Sequence, residues 1–144
     1  MKISIGNCPE LINNSKKIRN EVFVNEQGIP IELDLDGLDD HSYHALAQIG
    51  TNVVGTARLT ISGNNKAVLA RVAVTKDHRG SGIARHLIRS ILSYAKVLKV
   101  EIIEIHAHQH LKNFYESFGF DYIQDVEVVG EHQLIEMHLN FKNT

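Results

Sequence analysis

Several features that would point to a secreted, membrane or nucleic-acid-binding protein are missing from this sequence. It holds a single cysteine, Cys8, so no disulfide can close within the chain, which suits the reducing cytoplasm where we expect it. Cys8 stands beside Pro9 with no activating base in the neighbouring sequence and reads as structural. No apolar run approaches the length that spans a bilayer, and the opening MKISIGNCPE has none that would serve as a secretory signal. Neither membrane association nor a leader is therefore expected. Excess charge is also lacking. With 15 Lys and Arg against 17 Asp and Glu, the formal net charge is −2, which gives no field to gather nucleic acid, so any anionic ligand must be held locally. No linker, repeat or low-complexity stretch divides the 144 residues, and one domain over residues 1–144 is expected.

What is there is a composition of 43% hydrophobic and 22% charged residues, that of a soluble globular protein. Residues 2–5 alternate as a short strand, stopped by Gly6 and Asn7. Pro9 suits the opening of a helix, along which Leu11, Ile12, Ile18, Val22 and Phe23 recur near helical spacing towards Gln27 and Gly28. Residues 28–41, GIPIELDLDGLDDH, break into an acidic loop with room for one short helical turn. Three strand-like runs follow at 43–49, 53–61 and 67–74. Turn signals at Gly50-Thr51-Asn52 and Gly63-Asn64-Asn65 join them into an antiparallel meander. Ile83, Leu87, Ile88, Ile91, Leu92, Ala95 and Leu98 then form a helical stripe. A strand at 101–107, a short helix over 111–118 closed by Gly119, and a hairpin of 122–129 with 134–141 across Gly130 complete the chain. The order β-α-β-β-β-α-β-α-β-β predicts an α+β fold, a mixed and mostly antiparallel sheet flanked by helices.

Between the third strand-like run and the long helix lies TKDHRGSGIARHL, residues 75–87. A strand that runs into a loop and then a helix gathers free backbone N–H groups and a positive helix end at one place, where phosphate oxygens bind. Gly80 and Gly82 let the backbone come close, while Arg79 and Arg85 add charge-assisted hydrogen bonds. A turn that only connects strand to helix fits the same residues. The pattern is neither G-x-G-x-x-G nor G-x-x-x-x-G-K-[ST].

Arg79, Gly82 and Ala84 occupy the defining positions of R-x-x-G-x-A, so the loop resembles the acyl-CoA pyrophosphate loop of the GNAT N-acetyltransferase superfamily. LARVAV (69–74) stands where that family has its fourth strand, and NFYESFGF (113–120) resembles its tyrosine helix and following strand. The segment IRNEVFVNEQGIPIELDLDGLDDHSYHALA (18–47) is similar to the ElaA-like, or YjcF-like, branch of small bacterial acetyltransferases. VFVNEQ also resembles acyl-homoserine-lactone synthases, which share the fold and use other acyl donors. Those enzymes carry a tryptophan in this region, whereas this chain has none.

The resemblance implies splayed fourth and fifth strands with the pantetheine arm of the co-substrate acetyl-CoA between them. Val72 and Val74 would be its backbone partners, and Arg79, Gly80, Ser81, Gly82, Ile83 and Ala84 would place their amides on the pyrophosphate with Arg85 beside them. It further implies acetyl transfer to a primary amine of a small molecule or peptide by direct attack in a ternary complex, without a metal, in a protein that forms a homodimer in many relatives. A main-chain N–H near Val72 or Ala73 would donate to the oxyanion, and Tyr115 would protonate the departing thiolate. Tyr115 equally fits a core aromatic on a face shared with Leu111, Phe114 and Phe118. Many relatives carry a glutamate on the fourth strand, and LARVAV has no carboxylate. The general base is therefore sought in Glu26, as base or acceptor anchor, then in His106, with a chain of water as the alternative to both. Arg71 is expected to hold an acceptor's carboxylate or to pair with an acid of segment 26–40.

Two competing signals remain. HAHQH sets His106, His108 and His110 at alternate positions, but with no carboxylate or cysteine adjacent they read as ordinary polar residues, and no metal is expected. Glu32, Asp34, Asp36 and Gly37 imitate the start of a calcium loop whose twelfth position is Tyr43 instead of glutamate. The segment reads instead as an acidic rim that draws a cationic amine. A protein that keeps the fold and binds CoA or another phosphate ligand without catalysis, as a sensor or partner subunit, is the alternative to an enzyme.

Overall fold

The computed structural model describes residues 1–143. The elements run β1 (Lys2–Gly6), α1 (Pro9–Arg19), α2 (Ile31–Asp34), β2 (Ser42–Ile49), β3 (Asn52–Gly63), β4 (Lys66–Val74), α3 (Ile83–Val97), β5 (Ile102–His108), α4 (Lys112–Glu116), β6 (Asp121–Val129) and β7 (His132–Asn140). The described strands form a seven-stranded mixed sheet in the order β1-β2-β3-β4-β5-β7-β6, flanked by the helices. This is the expected element order, with α2 as the short turn foreseen in the acidic loop. Among the described residues no helix is long and apolar enough to cross a membrane.

The chain packs as two compact units, Met1–Thr60 with Arg71–Tyr94, and Ile61–Ala70 with the chain from Ala95 onward. In the first unit α1 opens on Pro9, whose fixed φ suits the first helical position. The helix does not stop at Arg19 but widens over Asn20–Glu26, where the Gln27 N–H reaches back to the Val22 carbonyl at 3.1 Å. Ile18 and Val22 thereby pack with Ala73 of β4. α3 buries Ile83, Leu87, Ile88, Ile91 and Ala95 and leaves His86, Arg89 and Lys96 exposed, the one-sided pattern of an amphipathic helix. Gly55 of β3 allows that contact: a Cβ there would sit 3.0 Å from Leu87 and 3.2 Å from Ile83.

In the second unit β5 and β7 pair antiparallel, with Glu104 opposite His138 and His106 opposite Glu136. Ile103, Ile105, Ile135, Met137 and Leu139 are buried on one face of this pair, which fixes the register because a one-residue slip would expose all of them. The parallel β4–β5 ladder covers only residues 66–68 with 102–104, as splayed fourth and fifth strands require. Further along β4, Arg71 takes a positive φ of 56°, a conformation that interrupts regular strand geometry in a non-glycine residue.

Candidate functional site

The glycine loop is built on hydrogen bonds that leave its outer side open. As β4 ends, the Thr75 N–H binds the Val54 carbonyl at 2.9 Å, and the tight turn Lys76–His78 closes with the His78 N–H on the Thr75 carbonyl at 2.9 Å. The Ser81 hydroxyl donates to the His78 carbonyl at 2.7 Å. Gly80 and Gly82 both have φ of 83°, and a Cβ at either would meet nothing within 4 Å. Glycine is needed here for its left-handed backbone and not for lack of room. α3 then starts at Ile83, and the His86 N–H is bonded to the Gly82 carbonyl at 3.1 Å. The amides preceding His86 in that first turn have no acceptor within the helix itself, and they face the positive end of a 15-residue helix.

Arg79 lies in this loop but is already held. Its two terminal nitrogens donate to the Glu26 carboxylate at 2.5 and 2.6 Å, and its Nε donates to the Val74 carbonyl at 3.0 Å. The hydrogen bonds from Arg79 keep the Glu26 carboxyl below the usual carboxylate range. A cleft of about 560 Å³ opens beside the pair, lined among others by Asn25, Glu26, Val54, Thr75 and His78. That is room for a small ligand.

The acidic segment is not an open rim. Arg19 is fully buried and binds Asp34 (3.0 and 3.1 Å) and Asp39 (2.6 and 3.0 Å) through both edges of its guanidinium. Arg58 binds Asp36 at 2.7 Å and Asp39 at 3.2 Å. Arg71 meets Asp34 and Asp36, each at 3.2 Å, and also reaches the Leu33 and Asp34 carbonyls. Three arginines thus neutralise three aspartates. Of the two expectations for Arg71, the structure shows the pairing with acids of segment 26–40. His44 completes the set. Its ring bonds the Asp39 carbonyl at 3.0 Å and the Ser15 hydroxyl at 3.1 Å, and burial pushes the imidazole pKa down.

Burial pushes the Asp36 and Asp39 carboxyls up, but the arginines outweigh it. Hydrogen bonds from Arg58 and the Leu38 N–H bring Asp36 down to about 2, and Arg19 followed by Arg58 brings Asp39 below the ordinary range. For carboxyls lowered in the folded state, the stabilisation is complete above the unfolded value of ~3.9 and is lost as pH falls through the folded one. Urea unfolding at stepped pH is therefore expected to show stability falling below about pH 4, with Asp36 alone contributing on the order of 1–2 kcal/mol. A flat profile down to pH 2 would refute the network's electrostatic role.

Of the other expected residues, Val72 is half-buried while Ala73 and Val74 are buried at the end of β4. Arg85 is half-buried in the first turn of α3. In the second unit Tyr115 is 7% exposed, edge-on to Phe114 and Phe120 with ring centroids 5.2 and 5.8 Å away. Burial pushes its phenol up to about 12. His106 is exposed on β5, where its Nε2 lies 2.9 Å from Glu104 and 4.0 Å from Glu136 of β7. The expectation that no carboxylate adjoins these histidines fails for His106, because Glu104, two residues earlier on the same face of β5, and Glu136 of the neighbouring β7 both reach it.

A profile of the Acetyltransferase (GNAT) family matches residues 12–120. The chain belongs to the GNAT acetyltransferase family. Within GNAT it falls in the ElaA/YjcF-like branch. It is 27% identical to the uncharacterized N-acetyltransferase YjcF of Bacillus subtilis over 88% of this chain and 90% of that one. It is 31% identical to protein ElaA of Escherichia coli over 76% and 74% of the two chains. The E. coli ElaA crystal structure superposes with a TM-score of 0.84 at 27% identity, covering 96% of this chain and 99% of that one. The fold is also that of a B. subtilis GNAT-fold acetyltransferase crystallised with CoA, at a TM-score of 0.71 and 16% identity, covering 97% and 98%.

Within this GNAT chain, sequence reasoning did not single out Arg19 and Arg58. Their signal is only compositional: an acidic segment that lies over a folded domain needs buried cations somewhere.

Proposed function

We propose that this GNAT protein transfers an acetyl group from acetyl-CoA to a primary amine of a small molecule or peptide, by direct attack within a ternary complex. The observation that carries this is the loop at residues 79–84, where two glycines take left-handed backbone, residues 79–82 are exposed, and the first-turn amides of α3 have no acceptor within the helix. A diphosphate fits such a place by charge and by hydrogen bonding. The CoA complex of a protein with the same fold adds support. Acetyl-CoA supplies the acetyl group as an activated thioester.

The chain's own residues then divide the remaining tasks. The amides of Arg79 through Ala84 hold the diphosphate, with Arg85 beside them. Main-chain groups at Val72, Ala73 and Val74 align the pantetheine arm, and one of their N–H groups donates to the developing oxyanion. Glu26 serves Arg79: a carboxylate whose proton affinity is lowered by a guanidinium is a weak base, and its contribution is to fix the loop's arginine. No step is assigned to His106, which is exposed and bonded to Glu104. Deprotonation of the amine falls to water in the cleft. Tyr115, protonated throughout the physiological range, acts as a proton donor and not as a base.

Tyr115→Phe is the test. Followed by thiol release across a panel of amines, turnover is expected to fall roughly 10²-fold while acetyl-CoA affinity stays nearly constant. Unchanged turnover would remove Tyr115 from the chemistry. Tight acetyl-CoA binding with no amine-dependent thiol release by the unmodified protein would instead favour a non-catalytic sensor.

A further inference from the structure

The second unit carries a cluster that the transfer reaction does not use. The sequence repeats one triplet, Glu104-Ile105-His106 and Glu136-Met137-His138. Ile105 and Met137 are buried at 2% and 0% exposure, so the glutamates and histidines flanking them project from the opposite face of the sheet. The antiparallel register sets Glu104 opposite His138 and His106 opposite Glu136. Carboxylate and imidazole therefore alternate around a square.

Its edges are short. Nε2 of His106 lies 2.9 Å from Glu104 and 4.0 Å from Glu136, while Nε2 of His138 lies 2.6 Å from Glu136 and 3.5 Å from Glu104. One ligand atom from each of Glu104, Glu136 and His138 falls within 4.8 Å of the others. Tetrahedral Zn²⁺ with bonds of about 2.0–2.1 Å needs ligand atoms roughly 3.3 Å apart, so small side-chain rotations suffice. Among the described residues the ion-pair partners of both glutamates at this square are histidines, with no lysine or arginine. With the imidazoles neutral, as metal ligation requires, the four groups carry the charge of two carboxylates, matched to a dication. Gln124 donates to Glu136 at 3.1 Å, an outer contact of the kind that orients a ligating carboxylate. The side chains are 15–42% exposed, which leaves an entry path for the ion.

We propose that Glu104, Glu136 and His138, with His106 at the fourth corner, bind a borderline divalent cation of the Zn²⁺ type across β5 and β7. Mixed carboxylate and imidazole donors suit such an ion better than Mg²⁺ or Ca²⁺, which take oxygen ligands.

The test uses untagged protein stripped with EDTA and titrated calorimetrically with ZnCl₂, with thermal melts in parallel. Saturable one-to-one binding and a raised melting temperature are expected. The isosteric Glu104→Gln/Glu136→Gln variant keeps the shape of both side chains and is expected to weaken binding on the order of tenfold or more. His110→Asn/His132→Asn, which disrupts the neighbouring imidazole group around His108, is expected to leave it intact. No saturable heat with the unmodified protein would overturn the proposal and leave a self-contained ion-pair square. Binding that survives the glutamine changes and disappears with His110 and His132 would also overturn it. Should the double glutamine variant fail to fold by circular dichroism, the His138 ring resonances of the unmodified protein decide: they must shift on addition of Zn²⁺.

Discussion

Arg19→Ala is expected to cost about 3–5 kcal/mol of folding stability, the penalty for breaking a buried ion pair from one side. The guanidinium is fully buried, and its partners Asp34 and Asp39 have side chains only 3% and 6% exposed. Both carboxylates stay behind when the arginine goes. Arg58 and Arg71 compensate them only in part, since Arg58 meets Asp39 at 3.2 Å and Arg71 meets Asp34 at 3.2 Å. Against a typical total of 5–15 kcal/mol, such a loss removes a large fraction of the stability. Arg19→Met, which restores volume without charge, is expected to recover little, because the uncompensated carboxylates and not the cavity dominate the cost. Arg71→Ala makes the contrast: its side chain is 25% exposed, and water can reach what it leaves. Urea denaturation of the three variants measures this, and a loss below about 1 kcal/mol for Arg19→Ala would refute the network as the anchor of the 31–41 segment.

In the loop, Gly82→Trp and Arg79→Glu are each expected to lower acetyl-CoA affinity on the order of a hundredfold or more, equivalent to about 2.7 kcal/mol. Any L-residue at Gly82 must adopt a backbone with φ of 83°, which costs roughly 1–2 kcal/mol, and an indole would also fill the open space that the diphosphate is to occupy. Arg79→Glu sets a second carboxylate against Glu26 and against the phosphates at once. Because a Cβ at Gly82 meets nothing within 4 Å, the stability lost by Gly82→Trp is expected to be that backbone strain alone, a melting temperature lowered by several degrees, and titration well below the melting range keeps weakened binding from being mistaken for unfolding. Gly82→Ala separates the two causes by adding the backbone strain without the bulk, and its affinity should fall between. Fluorescence or calorimetric titration against acetyl-CoA checks all three, and undiminished binding by Gly82→Trp would exclude the loop as a cradle.

The parts of this molecule that the sequence revealed are those written locally. RGSG between a strand and an amphipathic stripe is a contiguous signal, since left-handed glycines and a helix start need only neighbours in the chain. The order of strands and helices was legible for the same reason, through alternation, turn residues and the stripe from Ile83 to Ala95. What escaped was set by pairings far apart in sequence. Glu26 reads as a base or acceptor anchor until the loop after β4 brings Arg79 to it across 53 positions. The aspartates at 34, 36 and 39 look like an open rim until Arg19, Arg58 and Arg71 converge on them from α1, β3 and β4. The two Glu-x-His triplets went unread in the sequence, because only the β5–β7 register sets each glutamate opposite the other triplet's histidine. α1 was read as one helix to Gln27, and its widening after Arg19 leaves no mark on the apolar spacing.

The most direct single measurement is calorimetric titration of the unmodified protein with acetyl-CoA and, separately, with CoA. Saturable one-to-one binding of both is expected, since the diphosphate common to them meets the same loop amides. If neither ligand gives heat above dilution at concentrations well beyond those of ordinary cofactor sites, residues 79–84 are a strand-to-helix turn, and the proposed acetyl transfer is contradicted.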